Sequence, residues 1–346
     1  MGMCAIREIL RLPETELVVV LAYSKAKHGV DVGQLLGSEL TGVRVTTDVD
    51  KLIAAKPEVV LQATHLFPEF PSDDEIIRLL EAGINVITCL PYQYPQARGA
   101  DVAKRFDEAG KRGGATLFGT GENPGFMFER LAATMTGISN DIQCIRVDEY
   151  FSCQHLANGK EILPLYGFGT PVEEVEKNEI SGILVGHYLT GPIHYMADKL
   201  GVPLDRIERT SHHKVVTEDI TIPGVITARK GTVGTLSFKF TGYSNGRPMF
   251  VNRTRLYLHE SLRPREAKGD DYWIIQIEGQ PSTRLGLEIT GSLKRNLPRL
   301  PNNPAPGGYF ATVIPMIQAI PMVIDAAPGL HVTAMPEVHW KPDMRN

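Results

Sequence analysis

The chain has 346 residues, 42% of them hydrophobic, 22% charged and 7% aromatic, which suits two soluble domains and excludes a disordered or fibrous chain. Its 36 basic and 40 acidic side chains leave a formal charge of −4; this argues against nucleic acid as a partner, because counterion release needs clustered Lys and Arg. Cys4, Cys89, Cys144 and Cys153 have no C-x-x-C spacing, so a disulfide scaffold is excluded and reduced thiols of a cytoplasmic protein are expected.

The first predicted element is a helix over Met3–Leu12, directly after Gly2. Arg7, Glu8, Arg11 and Glu14 interrupt any signal-peptide core, and the apolar run Leu17–Tyr23 is far short of a membrane span. No membrane partner is expected. From there short β-branched runs alternate with helical stretches. The runs are Leu17–Tyr23, Val43–Thr47, Glu58–Thr64, Ile84–Cys89 and Ala115–Phe118, and the helices are Val49–Ala55, Asp73–Ala82 and Ala97–Arg112. Continuous apolar strands separated by helices predict a Rossmann-like, doubly wound parallel sheet covered on both faces. A dinucleotide-binding βαβ unit opens with strand, Gly-rich turn and helix, and its first strand lies mid-sheet. Here Gly2 occupies the place of the last glycine of G-x-G-x-x-G, while the strand and the first two glycines are missing. One expectation is a start assigned too late, with an apolar strand and G-x-G encoded upstream in frame.

After residue 125 the pattern changes to α+β. A helix over Phe126–Thr136 precedes a strand at Ile142–Phe151 and a helix at Val185–Leu200. Thr232–Tyr243 and Met249–His259 flank Ser244-Asn245-Gly246-Arg247, a hairpin signal; Tyr272–Gly279 and Thr283–Thr290 read as a further antiparallel pair. An open mixed or antiparallel sheet is expected. Leu297–Gly308, rich in Pro, Asn and Gly, reads as a connector to a helix at Tyr309–Ala326, kinked or broken by Pro315 or Pro321. The expected domains are therefore 1–125 for the cofactor, 126–300 for substrate and dimerisation, and 301–346 as connector and helix returning to the first.

Five segments recur in the order of one family: Gly2-x-x-Ala5-Ile6-Arg7; Leu21-Ala22-Tyr23-Ser24-x-x-Lys27-x-Gly29-x-Asp31-x-Gly33; Asn85-Val86-Ile87-Thr88 with Tyr94-Pro95; Gly119-Thr120-Gly121-x-Asn123-Pro124-Gly125-Phe126; and Ile277-Glu278-Gly279-x-Pro281. The chain resembles the dihydrodipicolinate reductase-like NAD(P)-dependent oxidoreductases, the group that includes 2,4-diaminopentanoate dehydrogenase and the native amine dehydrogenases. The resemblance implies a Rossmann domain, an α+β domain whose sheet makes a homodimer contact, and a cleft between them. It also implies hydride transfer between a nicotinamide and a small carbonyl, imine or amine substrate.

Candidate site residues follow from the residues and from that resemblance. Gly2 and Met3 would face the pyrophosphate. Ser24, Lys25 and Lys27 follow the run Leu17–Tyr23, which stands for the second strand of a Rossmann unit whose first is missing, with no acid among them; this suits the 2′-phosphate of NADP over the ribose of NAD, and the alternative is a solvated loop. Thr64, His65, Thr88 and Cys89 end strands that border the cofactor, with His65 either a proton donor or an ordinary loop histidine. Asn123 would position the nicotinamide. Amine dehydrogenases of the group carry two Glu residues just before Tyr-Pro, whereas Cys89-Leu90-Pro91-Tyr92-Gln93-Tyr94-Pro95 has no carboxylate. Glu122 is the carboxylate available to replace them, unless it only caps or faces solvent. Tyr92, His155 and His194 complete the proton-handling set, His194 sharing a helix face with His187; each is equally readable as structural. His212-His213 and His259-Glu260 lack metal-site spacing, so no metal is expected. The rival reading is a non-catalytic relative, a binding or structural dimer without a complete cofactor loop.

Overall fold

The structure, a computed structural model, describes residues 1–64, 72–156, 159–177, 180–293 and 307–344. Contacts divide the chain into two units. One comprises Met1–Glu122 with Tyr309–Val332, and the other begins at Asn123 and takes in the chain from Thr333 onward.

The first unit runs α1 (Gly2–Arg11), β1 (Val20–Leu21), α2 (Val32–Leu36), β2 (Val45–Thr46), α3 (Val49–Ala54), β3 (Val59–Gln62), α4 (Asp73–Glu81), β4 (Asn85–Thr88), α5 (Ala100–Gly113) and β5 (Thr116–Gly119). Each helix shows why it forms. The Asp31 side chain caps α2 by accepting from Gly33 N, and Asp73, Asp74 and Glu75 in the first turn of α4 complement its dipole. Ile76, Leu79 and Leu80 on α4, at helical spacing, are buried with Phe106, Val86 and Leu117 in the main core. β1 is much shorter than the apolar run that predicts it. Val20 and Leu21 pair with Val45 and Thr46, and among the described residues no ladder joins this pair to the main sheet.

The second unit opens with a π-helical turn, Met127–Ala132, that runs into α6 (Ala133–Thr136). There follow β6 (Asn140–Ser152), α7 (Gly159–Tyr166), α8 (Val172–Lys177), α9 (Ile180–Lys199), β7 (Arg206–Val215), β8 (Ile220–Ile222), β9 (Ile226–Ala228), β10 (Val233–Ser244), β11 (Arg247–Tyr257), β12 (Asp271–Gln280) and β13 (Thr283–Glu288). The six-stranded sheet has the order β13-β12-β6-β11-β10-β7, parallel only between β6 and β11, so the expected open mixed sheet is present. The expected hairpin closes at Asn245 and Gly246, both at positive φ (49° and 72°), as a two-residue turn requires. α9 lies on one sheet face, where buried Asn252 donates its Nδ2 to Leu189 O at 3.1 Å.

The chain then supplies α10 (Gly307–Gln318), α11 (Ile320–Asp325) and β14 (Gly329–His331). The expected helix is broken at Ala319, just before Pro321, whereas Pro315 is carried inside α10. By length and composition Gly307–Asp325 matches a membrane span. In the fold, Met316, Ala319 and Val323 pack against Ile87, Cys89 and Phe118 as a core element. β14 completes an all-parallel sheet of order β14-β5-β4-β3; three residues beginning with a glycine gave no strand signal. From Thr333 the chain packs in the second unit rather than the first: Tyr195 donates its hydroxyl to Thr333 O at 3.1 Å and Trp340 N donates to Thr136 Oγ1 at 3.1 Å. Most of the expected connector lies outside the described residues.

Candidate active site

In the first unit the candidate residues collect at the carboxyl edge of the parallel strands, where open α/β sheets bind ligands. Thr88 is wholly buried at the end of β4. Its hydroxyl accepts from Leu90 N at 3.1 Å and its carbonyl accepts from Thr120 N at 2.9 Å, tying the loops after β4 and β5 together. Gly119 makes this possible, because a Cβ there would lie 2.2 Å from Gln93 N and 2.3 Å from the Tyr92 carbonyl carbon. Cys89 hangs its thiol 3.8 Å from Gln62 O, and burial pushes that thiol up to about 11, so it is a neutral packing group at neutral pH. The Thr64 hydroxyl meets Ser72 at 3.3 Å. His65 lies outside the described residues.

Tyr92 sits here as a brace. It is fully buried, donates its hydroxyl to Asp73 Oδ1 at 2.6 Å, and packs edge-on to Phe106. Arg98 holds the same carboxylate through Nη1 and Nη2. Burial, then the hydrogen bond to Asp73, pushes the phenol well above its usual range; a proton held this way is not free for transfer.

Sequence reasoning missed the neighbours of these residues. Gln93 is 3% exposed and, among the described residues, neither atom of its carboxamide has a hydrogen-bond partner; Thr120 Oγ1 and Gln62 Oε1 are in the same condition. Buried polar atoms at a sheet edge with no partner are groups a ligand would satisfy. A faint signal was present: Gln93 is the one carboxamide in the otherwise apolar and aromatic run Cys89–Pro95.

At the start of α1, where the pyrophosphate is expected, no described side chain caps the helix and no acid lies in its first turn. Met1 packs with the cluster of Ile87, Cys89 and Phe118, whereas Met3 packs with Val32, Leu36 and Val45, and a Cβ on Gly2 would meet nothing within 4 Å. Ser24, Lys25 and Lys27 are exposed on a 3₁₀ turn just after β1. The first acid beyond them, Asp31, is held by Gly33 N, Thr41 N and Gly42 N. These bonds, Thr41's foremost, lower its pKa, so it is a loop and helix cap rather than a free ribose ligand.

The loop after β5 carries the chain from one unit into the other between Glu122 and Asn123. Glu122 is buried, 8% exposed, so the solvent-facing alternative falls away. Both polar atoms of the Asn123 carboxamide are buried without a partner among the described residues. Gly125 N donates to Glu129 Oε2 at 2.9 Å, while Glu129 Oε1 is buried and unpartnered. The Leu131 N–H reaches back five residues to Phe126 O, and the widened π turn places Glu129 inside the second unit. Burial pushes its carboxyl up to about 7. A lone carboxylate on the apolar side of the Phe126–Thr136 helix was the sequence signal for it.

In the second unit His155 is exposed in the turn after β6. His194 stands midway along α9, partly buried, with its pKa lowered by that burial. They lie on separate elements. The titratable groups that do gather are Glu149, Asp271, Cys153 and Tyr166: burial raises Cys153 and Tyr166, with Glu149 adding to both, and Tyr166 reaches about 12. Among the described residues no group of His, Cys, Asp and Glu could hold a metal ion.

Comparison with known proteins bears on this geometry as a whole. Residues 126–340 match the sequence model of the family described as 2,4-diaminopentanoate dehydrogenase C-terminal domain. An amine dehydrogenase of Streptomyces virginiae is 28% identical over 341 residues, 95% of this chain and 91% of that protein. A 2,4-diaminopentanoate dehydrogenase of Acetoanaerobium sticklandii is 27% identical over 286 residues, 82% and 74% of the respective chains. The solved structure of an amine dehydrogenase from Mycobacterium smegmatis shares the fold at a TM-score of 0.74 and 19% identity, covering 99% of this chain and 95% of that one.

Proposed function

The chain belongs to the 2,4-diaminopentanoate dehydrogenase C-terminal domain family, and from that premise we propose that it transfers a hydride between NADP and a small amine, by way of the corresponding imine or carbonyl compound. It is an NAD(P)-dependent oxidoreductase; the preference for NADP and the amine substrate are our reading. One observation carries it: the buried, unpartnered Gln93 carboxamide and Thr120 hydroxyl, held at the carboxyl edge of the parallel sheet by the Gly119 contact. These groups fit the polar end of a nicotinamide, with the Asn123 carboxamide on the same connecting loop. A bound nicotinamide supplies or accepts the hydride. The protein's residues bind, orient and manage the proton. The amide groups of Gly2 and Met3 bind the pyrophosphate at an uncapped helix start, Ser24, Lys25 and Lys27 read the 2′-phosphate, and Glu122 holds the proton, with Glu129 supporting the loop through Gly125. Tyr92 has no part in proton transfer, and His155 and His194 remain substrate-side candidates. We place the protein in the cytoplasm as a homodimer joined through the six-stranded sheet, with no nucleic-acid or membrane partner.

The test is an absorbance assay of nicotinamide reduction with a panel of primary amines, and of its oxidation with carbonyl compounds plus ammonium. The reading expects turnover in at least one direction, faster with the phosphorylated cofactor. No turnover with either cofactor, in either direction, overturns it.

A further inference from the structure

On the α9-covered face of the six-stranded sheet, register places Glu149 opposite Trp273 and Asp271 opposite Phe151. Glu149 and Asp271 are thus diagonal neighbours on one face of an antiparallel pair, about 7–8 Å apart at the backbone and within reach of each other's side chains. Asp271, 2% exposed, accepts from Trp273 Nε1 through Oδ1 at 2.9 Å, while its Oδ2 is buried with no partner among the described residues. Thr254, in register beside Glu149 on the same face and 3% exposed, turns its buried hydroxyl to the Glu149 carboxylate, which leaves the oxygen's lone pairs to accept from a further donor. Glu149 is only partly buried, so the group is open on that side.

The cations of these strands do not serve the pair. Arg146, Arg253 and Arg255 alternate onto the opposite face, where Arg253 pairs with Asp148 at 2.6 Å and Arg255 with Glu266 at 3.4 Å. The titratable groups around the pair are Asp270 on the loop before β12, Cys153 beyond the end of β6, and Tyr166 on α7. None is cationic. Among the described residues this pair, Asp271 buried and Glu149 partly buried, has no counter-cation; carboxyls so placed either keep protons or receive a cation from outside, and the donors present do not form a metal site among the described residues.

We propose that Glu149 and Asp271, with the Thr254 hydroxyl, form a binding site for the ammonium group of a primary amine. The proposal deepens the reading above, on which it rests for the link to catalysis, by naming residues that select an amine-bearing ligand. The three N–H donors of an ammonium match the free Asp271 oxygen, the Glu149 carboxylate and Thr254 Oγ1. Burial pushes Glu149 up to about 7, and burial with the charge of Glu149 pushes Asp271 up to about 8. At neutral pH the empty site therefore retains protons that an arriving cation displaces.

The experiment is calorimetric titration of the full chain with n-butylammonium at neutral pH, in two buffers of different ionisation enthalpy, with n-butanol as the uncharged control. Saturable binding of the amine but not the alcohol, with net proton release, is expected. Glu149→Gln and Asp271→Asn, the latter keeping an acceptor for Trp273, should each weaken binding by about tenfold or more and reduce the proton release. Absence of saturable amine binding to the wild-type chain, or binding without proton release, overturns the proposal without need of the variants. So does unchanged affinity in folded variants. NADPH binding is measured in the same samples: its absence would sink the cofactor reading separately, because the ammonium site is read from butylammonium alone.

Discussion

A carboxamide buried with both ends unbonded, as at Gln93, destabilises a fold by about 1–3 kcal/mol. Such a residue is explained if a ligand supplies the missing partners. Gln93→Leu, which keeps the volume, is therefore expected to raise the Tm of the nucleotide-free protein and to lose most of the further rise that NADPH gives. A thermal melt with and without NADPH checks both; an unchanged NADPH shift would remove Gln93 from the site. Glu129 makes a second prediction. Its folded-state pKa, about 7, lies above its unfolded value, so the folded form binds the proton more tightly. The associated stability is fully present below about pH 4 and is lost as pH rises through 7. Across that window the loss amounts to about 3 kcal/mol. Glu129→Gln, which can still accept from Gly125, should abolish this decline, as urea unfolding at successive pH values would show. An unchanged pH slope would mean the carboxylate is not buried as described.

At the scale of elements, the loop after β4 and the loop after β5 act as one piece. Gly119→Ala would drive a Cβ into the Tyr92–Gln93 backbone, and is expected to destabilise by several kcal/mol, about 3 or more, as overpacking against a rigid backbone does, and to weaken NADPH binding. Tyr92→Phe leaves Asp73 with Arg98, so it should lower stability by about 1–2 kcal/mol and leave kcat near wild type. A large fall in kcat at unchanged stability would restore Tyr92 as a proton donor. The parallel strands, the hairpin at Asn245-Gly246 and the long helix over the second sheet were legible because periodicity and turn chemistry are local. β14 was not: its three residues become a strand only because Thr116, Leu117 and Phe118 offer an open edge far away in sequence. Glycine motifs led to the Asn123 loop, yet Gln93 and Asp271 were not singled out, because what sets them apart, buried polar atoms without partners among the described residues, shows only in three dimensions.

For the whole molecule, the family likeness spans most of the chain, while the cofactor preference hangs on a single turn. Lys25→Glu with Lys27→Glu should shift binding from NADPH toward NADH through charge repulsion at the 2′-phosphate, with little effect on folding because both side chains are exposed. The proposed homodimer predicts a particle of twice the chain mass in sedimentation. The account depends above all on the carboxyl edge of the parallel sheet being a dinucleotide site. The measurement that tests this most directly is calorimetric or fluorescence titration of the full chain with NADPH and NADH. The account predicts saturable binding of one nucleotide per chain, tighter for NADPH and weakened by Gln93→Leu; absence of saturable binding for both nucleotides would contradict it.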